Sequence, residues 1–400
     1  MQPRTVAGIG LAAAIVASGV VAGIHLGQGR QRAEPPPAGG QTALPAEVQR
    51  TTTAAAPLPP GCPDPAQLSR MPLRDKLAQL LMVGVTNEAD ARSVTAEYRV
   101  GGVFITSWTD LSMLTSGALT QLATSTTPLP LAVSVDEEGG RVSRLSPLIG
   151  PSPSARVLAQ TQTPEQVYQL ARDRGAQMRA LGINIDFAPV ADVTAAPDDT
   201  VIGDRSFSDD PDVVIRYAGA YARGLRDAGL LPVLKHFPGH GHASGDSHQS
   251  GVVTPPLEQL LPTDLAPFRA LVADKPVAVM IGHMQVPGLT GTDQASLSSA
   301  AVSLLRNGTG YNAPPFDGPV FTDDLSTMNA ITDRYSVPEA VLKALQAGAD
   351  VALWVSTAEV PAVLDRLESA TRTGELNVAR VDESLQRVAA TKAPLAGCFR

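Results

Sequence analysis

The sequence predicts an α/β protein whose fold is a single (β/α)8 TIM-type barrel with no second C-terminal domain. Eight short apolar, β-branched runs recur along the chain, and helical patterns lie between them. Eight such runs favour a closed barrel over an open sheet. No break in composition and no internal repeat divides residues 62–398, so we expect one large domain with some long loops.

The predicted strands are the eight apolar runs themselves, and each is short enough to be a single strand of a parallel sheet. They are residues 80–85, 100–105, 129–135, 183–190, 230–234, 277–281, 319–322 and 350–355.

Helix signals occupy the segments between these runs. Thr163-Pro164-Glu165-Gln166 has the form of a capping box with proline at the first helical position, and Gly182 marks the end of that helix. Asp210-Pro211-Asp212 predicts a second helix start of the same kind. An apolar stripe of Val381, Leu385 and Val388 predicts the last helix.

The front of the chain, residues 1–26, predicts an export signal or an N-terminal membrane anchor. From Val6 to Leu26 it contains no Asp, Glu, Lys or Arg, and a bilayer span takes roughly 20 apolar residues. This composition is consistent with a signal that is cleaved off and also with an anchor that is retained. Residues 27–61 are rich in Pro, Ala and Thr without apolar periodicity, which predicts a disordered linker before the barrel of residues 62–400. We therefore expect an exported protein, extracellular or held at the cell surface.

The chain has two cysteines, Cys62 and Cys398, close to the two ends of the predicted domain. In an exported protein their expected use is a disulfide that joins those ends. Two unpaired thiols are the alternative.

The net charge of -8 and pI near 5.3 argue against a nucleic-acid partner, because phosphate binding requires clustered Lys and Arg.

Polar residues follow the predicted strands where each one ends, and in a barrel of this type these ends carry the chemistry. One such residue alone is usually a helix cap or a surface ion-pair partner. Five successive strand ends with polar residues point instead to a site for a polar substrate such as a polysaccharide. The residues concerned are Asp136, Glu137, Glu138, Arg141, Arg144, Asp186, Asp192, Lys235, His236, His283, Asp323 and Asp324.

Asp323 and Asp324 are neighbours after the seventh run, so only one carboxylate can face the site, and the other is expected to pair with backbone or a cation. A carboxylate at the anomeric carbon of a sugar can act as a nucleophile and form a glycosyl-enzyme. Asp246 and His248 are two residues apart, which allows the aspartate to orient the imidazole and to favour its protonated, acidic form. Glycines in the same loop would allow it to move.

A metal site is the alternative use of this histidine-rich loop, which also contains His240 and His242. Zinc accepts histidine and aspartate ligands. The spacing, however, matches no helix-borne His-x-x-x-His pair with a following glutamate, and Pro238 with three glycines gives little rigidity for a preformed site. We therefore expect no metal, and structural roles for His240 and His242.

The run Lys235 to Gly241 with Asp246-Ser247-His248, together with the runs at 136–142, 204–207 and 322–326, resembles glycoside hydrolase family 3. Within that family it is similar to the single-domain NagZ-type β-N-acetylhexosaminidases, over roughly residues 66–392. The resemblance implies a retaining hydrolase without a cofactor that removes terminal N-acetylglucosamine (GlcNAc) from peptidoglycan fragments. It implies Asp323 as the nucleophile, His248 as the acid/base and Asp246 as its partner. The implied substrate-binding residues are Asp136, Arg144, Arg205, Lys235 and His236.

The implied binding partners are GlcNAc-containing muropeptides or cell-wall glycan fragments, and we expect a monomer that contacts a membrane only through its N-terminal segment. That segment departs from the Gram-negative enzymes of this type, which are cytoplasmic, and it suits an exported actinobacterial form. Two other functions stay open. One is a β-glucosidase or a glycoside phosphorylase of the same family. The other is a non-catalytic sugar-binding protein, against which the joint presence of Asp323, Asp246 and His248 argues.

Overall fold

Eight parallel strands form the central barrel of the protein. The computed structural model describes residues 65–125 and 129–395. Each predicted apolar run contributes one strand, which confirms the predicted (β/α)8 fold. The strands are β1 (Leu81–Val85), β2 (Gly102–Ile105), β3 (Ala132–Val135), β4 (Ile185–Asp186), β5 (Leu231–Phe237), β6 (Ala278–Ile281), β7 (Val320–Thr322) and β8 (Ala352–Trp354).

The strands pair in chain order, and the ring closes between β7 and β8. Parallel ladders join each strand from β1 to β7 with the next, and β1 also pairs with β8. At the closing seam Phe321 bridges Val351, the residue before β8, and the Thr322 N–H donates to the Val351 carbonyl at 3.0 Å. All eight carboxyl ends therefore meet on one rim.

Helices alternate with the strands along the chain. Within the described residues, none of them has the length and apolarity needed to cross a membrane. The α-helices are Pro65–Arg70, Leu73–Ala78, Glu88–Tyr98, Ser112–Thr115, Ala118–Ser125, Ser146–Ile149, Ala155–Thr161, Pro164–Ala180, Pro211–Asp227, Leu257–Leu260, Leu265–Leu271, Ser299–Asn307, Asn329–Thr332, Val337–Ala347, Val360–Thr373 and Val378–Leu395. Short 3-10 turns lie at Gly203–Arg205, Ala295–Leu297 and Thr309–Tyr311.

Two helix starts have the caps that the sequence predicts. The Thr163 hydroxyl accepts the Gln166 N–H, and the Gln166 side chain accepts the Thr163 N–H, so both halves of the capping box are present. The Asp210 carboxylate accepts the Asp212 N–H at the start of the second helix. Each cap satisfies amide donors that a helix start leaves without a partner inside the helix.

Strands β4 and β5 differ in length from the predicted runs. Strand β4 has only two residues, because its register against β5 shifts after Asp186. The Leu231 N–H donates to the Asn184 carbonyl, whereas the Val233 N–H donates to the Ala188 carbonyl, before the bridge between Val190 and Lys235. Strand β5 continues beyond Leu234 to Phe237, and its register against β6 shifts between those two residues. Neighbouring side chains of a regular strand point to opposite faces. Here Lys235 and His236, which lie within the irregular segment, both line the same cleft.

Aromatic side chains fill the barrel below the rim. The Phe187 ring, which follows β4, lies 5.5 Å from the rings of both Phe104 in β2 and Phe321 in β7. All three rings are buried. The interior is therefore a packed core rather than a pore, and a ligand can reach the strands only at the rim.

The described residues all belong to one compact unit. Residues 1–64, 126–128 and 396–400 lie outside the described part of the chain. The predicted signal or anchor of residues 1–26, the linker of 27–61, and the Cys62–Cys398 disulfide fall wholly or partly there and stay predictions.

Candidate active site

The structure brings all the residues predicted for catalysis and substrate binding into one cleft of about 460 Å³ at the carboxyl ends of the strands. This volume lies within the usual range for small-molecule sites. The predicted residues that line it are Asp136, Arg144, Arg205, Lys235, His236, Asp246, His248 and Asp323.

A buried charge cluster forms the inner end of the cleft. The Lys235 Nζ lies 2.6 Å from Asp136 Oδ1 and 2.6 Å from Glu138 Oε1. The Arg205 guanidinium binds both oxygens of Glu138, through Nε at 2.8 Å and Nη2 at 2.9 Å. Two carboxylates and two cations thus alternate in one network. Each charge has an opposite charge beside it, whereas a single buried charge would be costly.

The network keeps its members ionised. Burial raises the pKa of the Glu138 carboxyl, but Arg205 and Lys235 lower it by more, so its pKa lies well below the usual value. Burial lowers the pKa of the Lys235 ammonium, but Asp136 and Glu138 outweigh this and raise it. Lys235 and Arg205 therefore stay cationic and can donate to sugar oxygens.

The imidazole of His236 is oriented by a fully buried carboxylate. His236 Nδ1 lies 2.7 Å from Asp192 Oδ2, while Asp192 Oδ1 accepts the backbone N–H of His240 at 2.7 Å. Burial raises the pKa of Asp192, but His236 and His240 lower it by more. Because Nδ1 is engaged by Asp192, the other ring nitrogen, Nε2, is the one available to the cleft, where it lies 3.4 Å from Arg205 Nη2.

Asp323 follows β7 and stands among cationic and donor groups. Burial raises its pKa, but His236, His283 and the N–H of Asp324 lower it by more, to about 2. The Asp324 N–H donates to Asp323 Oδ1 at 2.9 Å. Asp323 is thus a carboxylate across the whole physiological range, as a nucleophile requires.

Asp324 also lines the cleft, and its carboxylate bonds to backbone N–H groups, as expected for the second carboxylate of the pair. Its Oδ1 accepts from the Ser326 N–H at 2.9 Å and from the Ser326 hydroxyl at 2.8 Å, and its Oδ2 binds Thr327. Its carbonyl accepts from His283 Nε2 at 2.8 Å. A carbonyl only accepts, so the His283 proton is on Nε2. These bonds hold the turn on which Asp323 is presented to the cleft.

His248 and Asp246 form a pair on the loop after β5. His248 Nδ1 lies 2.8 Å from Asp246 Oδ1, and the same oxygen accepts the His248 backbone N–H at 2.9 Å. The imidazole is 56% exposed. Burial raises the pKa of Asp246, but its bonds to His248 lower it by more, so the carboxylate stays charged beside the ring.

The other histidines of this loop have separate partners. His240 Nε2 lies 3.2 Å from the Ser247 hydroxyl, and His242 Nδ1 lies 2.9 Å from Asp264 Oδ2. In the portion of the chain that the structure describes, no three His, Cys, Asp or Glu side chains are grouped so that they could hold a metal ion. His240 also lines the cleft, and the structural roles expected for it and for His242 stay predictions.

Three residues of the site were given no individual role from the sequence, although Glu138 and Asp192 are among the polar residues noted at the strand ends. Glu138 could have been found, because Asp136 and Glu138 are two apart in an extended segment and so share a face. Asp192 follows a predicted strand, but nothing local shows that it pairs with His236. Trp108 lines the cleft from the loop after β2. The first four residues of that loop, 106–109, are uncharged, so they did not stand out among the strand ends.

Comparison with known proteins agrees with this geometry. The Glycosyl hydrolase family 3 N terminal domain matches residues 72–391. The chain belongs to glycoside hydrolase family 3. It is 62% identical over 400 residues to the β-hexosaminidase LpqI of Mycobacterium tuberculosis, covering 100% of this chain and 99% of that protein.

Two solved family 3 structures share the fold. That of M. tuberculosis LpqI superposes with a TM-score of 0.82 at 66% identity, over 84% of this chain and 98% of that one. A family 3 β-N-acetylglucosaminidase from Paenibacillus sp. FPU-7 has a TM-score of 0.76 at 36% identity, over 82% of this chain and 63% of that one. This family 3 member is therefore an enzyme, a glycoside hydrolase of the β-hexosaminidase type.

Proposed function

We propose that this family 3 enzyme is a retaining β-N-acetylglucosaminidase that removes terminal GlcNAc from peptidoglycan fragments. Asp323 attacks the anomeric carbon and forms a glycosyl-enzyme, and His248 with Asp246 transfers the protons. The observation that carries the proposal is a carboxylate with a lowered pKa and a His–Asp pair lining one cleft with a buried charge network.

The environment of Asp323 suits a nucleophile. Its carboxylate is charged at neutral pH, because its surroundings lower its pKa to about 2. In the first step its oxygen bonds to the anomeric carbon while the glycosidic bond breaks, and the departing oxygen takes a proton. In the second step water attacks the same carbon and releases Asp323, so two inversions give net retention.

The pair of His248 and Asp246 suits proton transfer. Asp246 occupies Nδ1, which leaves Nε2 as the nitrogen that can protonate the departing oxygen and later deprotonate water. The Asp246 carboxylate lies 2.8 Å from Nδ1 and so orients the ring for these transfers. The exposed position of the ring places it at the outer part of the cleft, where the departing group leaves.

The inner end of the cleft suits a sugar with many oxygens. Lys235, Arg205, Arg144 and His236 supply donors, and Asp136 supplies an acceptor for hydroxyl groups. The Arg144 Nε is buried and has no partner among the described residues, so a ligand is expected to satisfy it. The Paenibacillus relative is named a β-N-acetylglucosaminidase, which favours GlcNAc as the sugar.

We propose that the enzyme acts outside the cytoplasm as a monomer, extracellular or held at the cell surface through residues 1–26. The charge-free apolar run from Val6 to Leu26 and the Pro-rich linker after it support this location. Fractionation of cells that carry the full chain tests it. Recovery of the protein only in the cytosol would contradict the proposal.

The test of the mechanism is to trap the intermediate with a slow fluorinated glycosyl donor and to map the labelled peptide. The label is expected on Asp323, and a label on any other residue would overturn the assignment.

The test of the substrate is release of GlcNAc from purified peptidoglycan fragments. Faster cleavage of an aryl β-glucoside than of the aryl β-GlcNAc, or a rate that depends on phosphate, would favour a glucosidase or a phosphorylase instead.

A further inference from the structure

Trp108 is a large apolar side chain that the fold leaves in the cleft without covering it. Its side chain is 55% exposed, whereas Trp354, the other tryptophan of the chain, is fully buried. Exposed tryptophan at the rim of a polar site is unusual, because burying an indole contributes much of the stability of a core or an interface. Trp108 is therefore a candidate contact for a bound ligand.

The loop that carries Trp108 is held in place by its own hydrogen bonds. The Thr109 hydroxyl donates to the Val85 carbonyl at 2.6 Å and accepts the Thr106 N–H at 2.9 Å. The Asp110 N–H donates to the Thr86 carbonyl at 2.8 Å. Thr106 and Thr109 are both buried. The indole is thus presented on a fixed support, which lowers the entropy lost when a ligand packs on it.

The cleft changes in character from its inner end to its rim. The inner end consists of the buried charges around Lys235 and Glu138, which suit the hydroxyl and acetamido groups of the sugar that is cleaved off. Partly exposed apolar residues also line the cleft, namely Val142, Val355 and Trp108, and Trp108 is the most exposed of them, which puts it at the rim. A pyranose ring presents an apolar C–H face, and such a face packs well on a flat aromatic ring.

We infer that Trp108 is the platform for the leaving sugar, the pyranose ring that follows the cleaved GlcNAc. This inference rests on the proposed function and adds a second subsite to it. The enzyme would then select substrates whose departing group is itself a sugar ring. Packing of that ring on the indole would hold the glycosidic oxygen in place for proton transfer.

The test compares two substrates that share the same GlcNAc. One is N,N′-diacetylchitobiose, whose leaving group is a pyranose, and the other is GlcNAc β-fluoride, whose leaving group is a single atom. Trp108→Ala is expected to lower kcat/KM for the disaccharide about 10-fold and to leave the fluoride unchanged. Trp108→Phe, which keeps a flat ring, is expected to retain most of the activity on the disaccharide. Val157→Ala removes an exposed apolar side chain away from the cleft and serves as the matched control.

Equal losses on both substrates would overturn the inference, because they would assign the indole to the inner sugar or to folding. No loss on the disaccharide would overturn it as well, as would failure of the parent enzyme to cleave the disaccharide while it cleaves the fluoride. Cleavage of the disaccharide without cleavage of peptidoglycan fragments would instead refute the cell-wall substrate and leave the subsite intact.

Fluorescence gives a second measurement that does not depend on turnover. In the inactive Asp323→Ala variant, N,N′-diacetylchitobiose is expected to shift the emission of the exposed Trp108, while the buried Trp354 contributes a constant background. Free GlcNAc, which fills only the inner end, is expected to have little effect. An equal shift with GlcNAc, or no shift with the disaccharide above the KM of the parent enzyme, would contradict the inference.

Discussion

The Lys235 ammonium group lies 2.6 Å from the Glu138 carboxylate, and both side chains are buried at the inner end of the cleft. Glu138 also binds Arg205 through both of its oxygens. One acid therefore holds two of the cations that are assigned to substrate binding. Its removal would take from both cations a carboxylate that each of them contacts directly.

Glu138→Gln is accordingly expected to destabilise the protein by about 3 kcal/mol and to lower kcat/KM. The reason is that breaking a buried ion pair leaves its cationic partners buried without this counter-charge. Urea denaturation and steady-state kinetics measure the two effects. Glu137→Gln is the matched control: Glu137 is buried against Arg174 and does not line the cleft. It is expected to lower stability without raising KM. A Glu138→Gln enzyme with unchanged stability and kinetics would refute the role given to the network.

Asp323→Ala is expected to lower kcat by about 10,000-fold or more, because the variant has no nucleophile. The measurement is release of an aryl leaving group under saturating substrate, with the emission of the folded protein as a control for structure. Residual activity near that of the parent enzyme would contradict the assignment of Asp323.

The low pKa of Asp323 gives a separate prediction on pH. A lowered pKa means that the carboxylate loses its charge only as the pH falls toward about 2, and any stability that it contributes is lost in the same range. The rate of trapping by a fluorinated donor, which needs no acid, is therefore expected to stay constant down to about pH 3. A midpoint near pH 4, the usual value for aspartate, would show that its surroundings do not lower the pKa.

His248→Ala is expected to slow turnover by about 100-fold or more on substrates with poor leaving groups and much less on activated aryl substrates. The reason is that a good leaving group departs without a proton. A series of aryl β-GlcNAc substrates of graded leaving-group pKa measures this. Equal loss across the series would be incompatible with His248 as the acid. His242→Ala, which removes a ring from the same loop but outside the cleft, is the control.

His242→Gln is expected to destabilise the protein at acid pH and less at alkaline pH. The hydrogen bond to Asp264 raises the pKa of His242, with burial acting against it. The stabilisation is therefore fully present below the usual histidine pKa of about 6.5 and is lost as the pH rises through the raised value. The imidazole is 42% exposed, so we expect about 1 kcal/mol or less. Denaturation of both proteins at several pH values measures this, and a difference that does not change with pH would contradict it.

Much of the fold could be predicted because its signals are local. The strands are short apolar runs, and the caps at Thr163 and Asp210 are contacts within three residues. The pairing of Asp246 with His248 is of the same kind, since the two are only two positions apart. The lengths of β4 and β5 were less predictable, because they depend on which backbone groups find a partner in the neighbouring strand.

The eight strands, the polar residues at their ends and the Asp246–His248 pair can be predicted from the chain alone, because they follow from periodicity and from neighbouring residues. Three other features become visible only in the folded protein: Glu138 joins Lys235 to Arg205, Asp192 orients His236, and Trp108 stays uncovered at the rim. These contacts join loops from different strands. Their distances are set by the closure of the barrel, which brings distant segments to one rim.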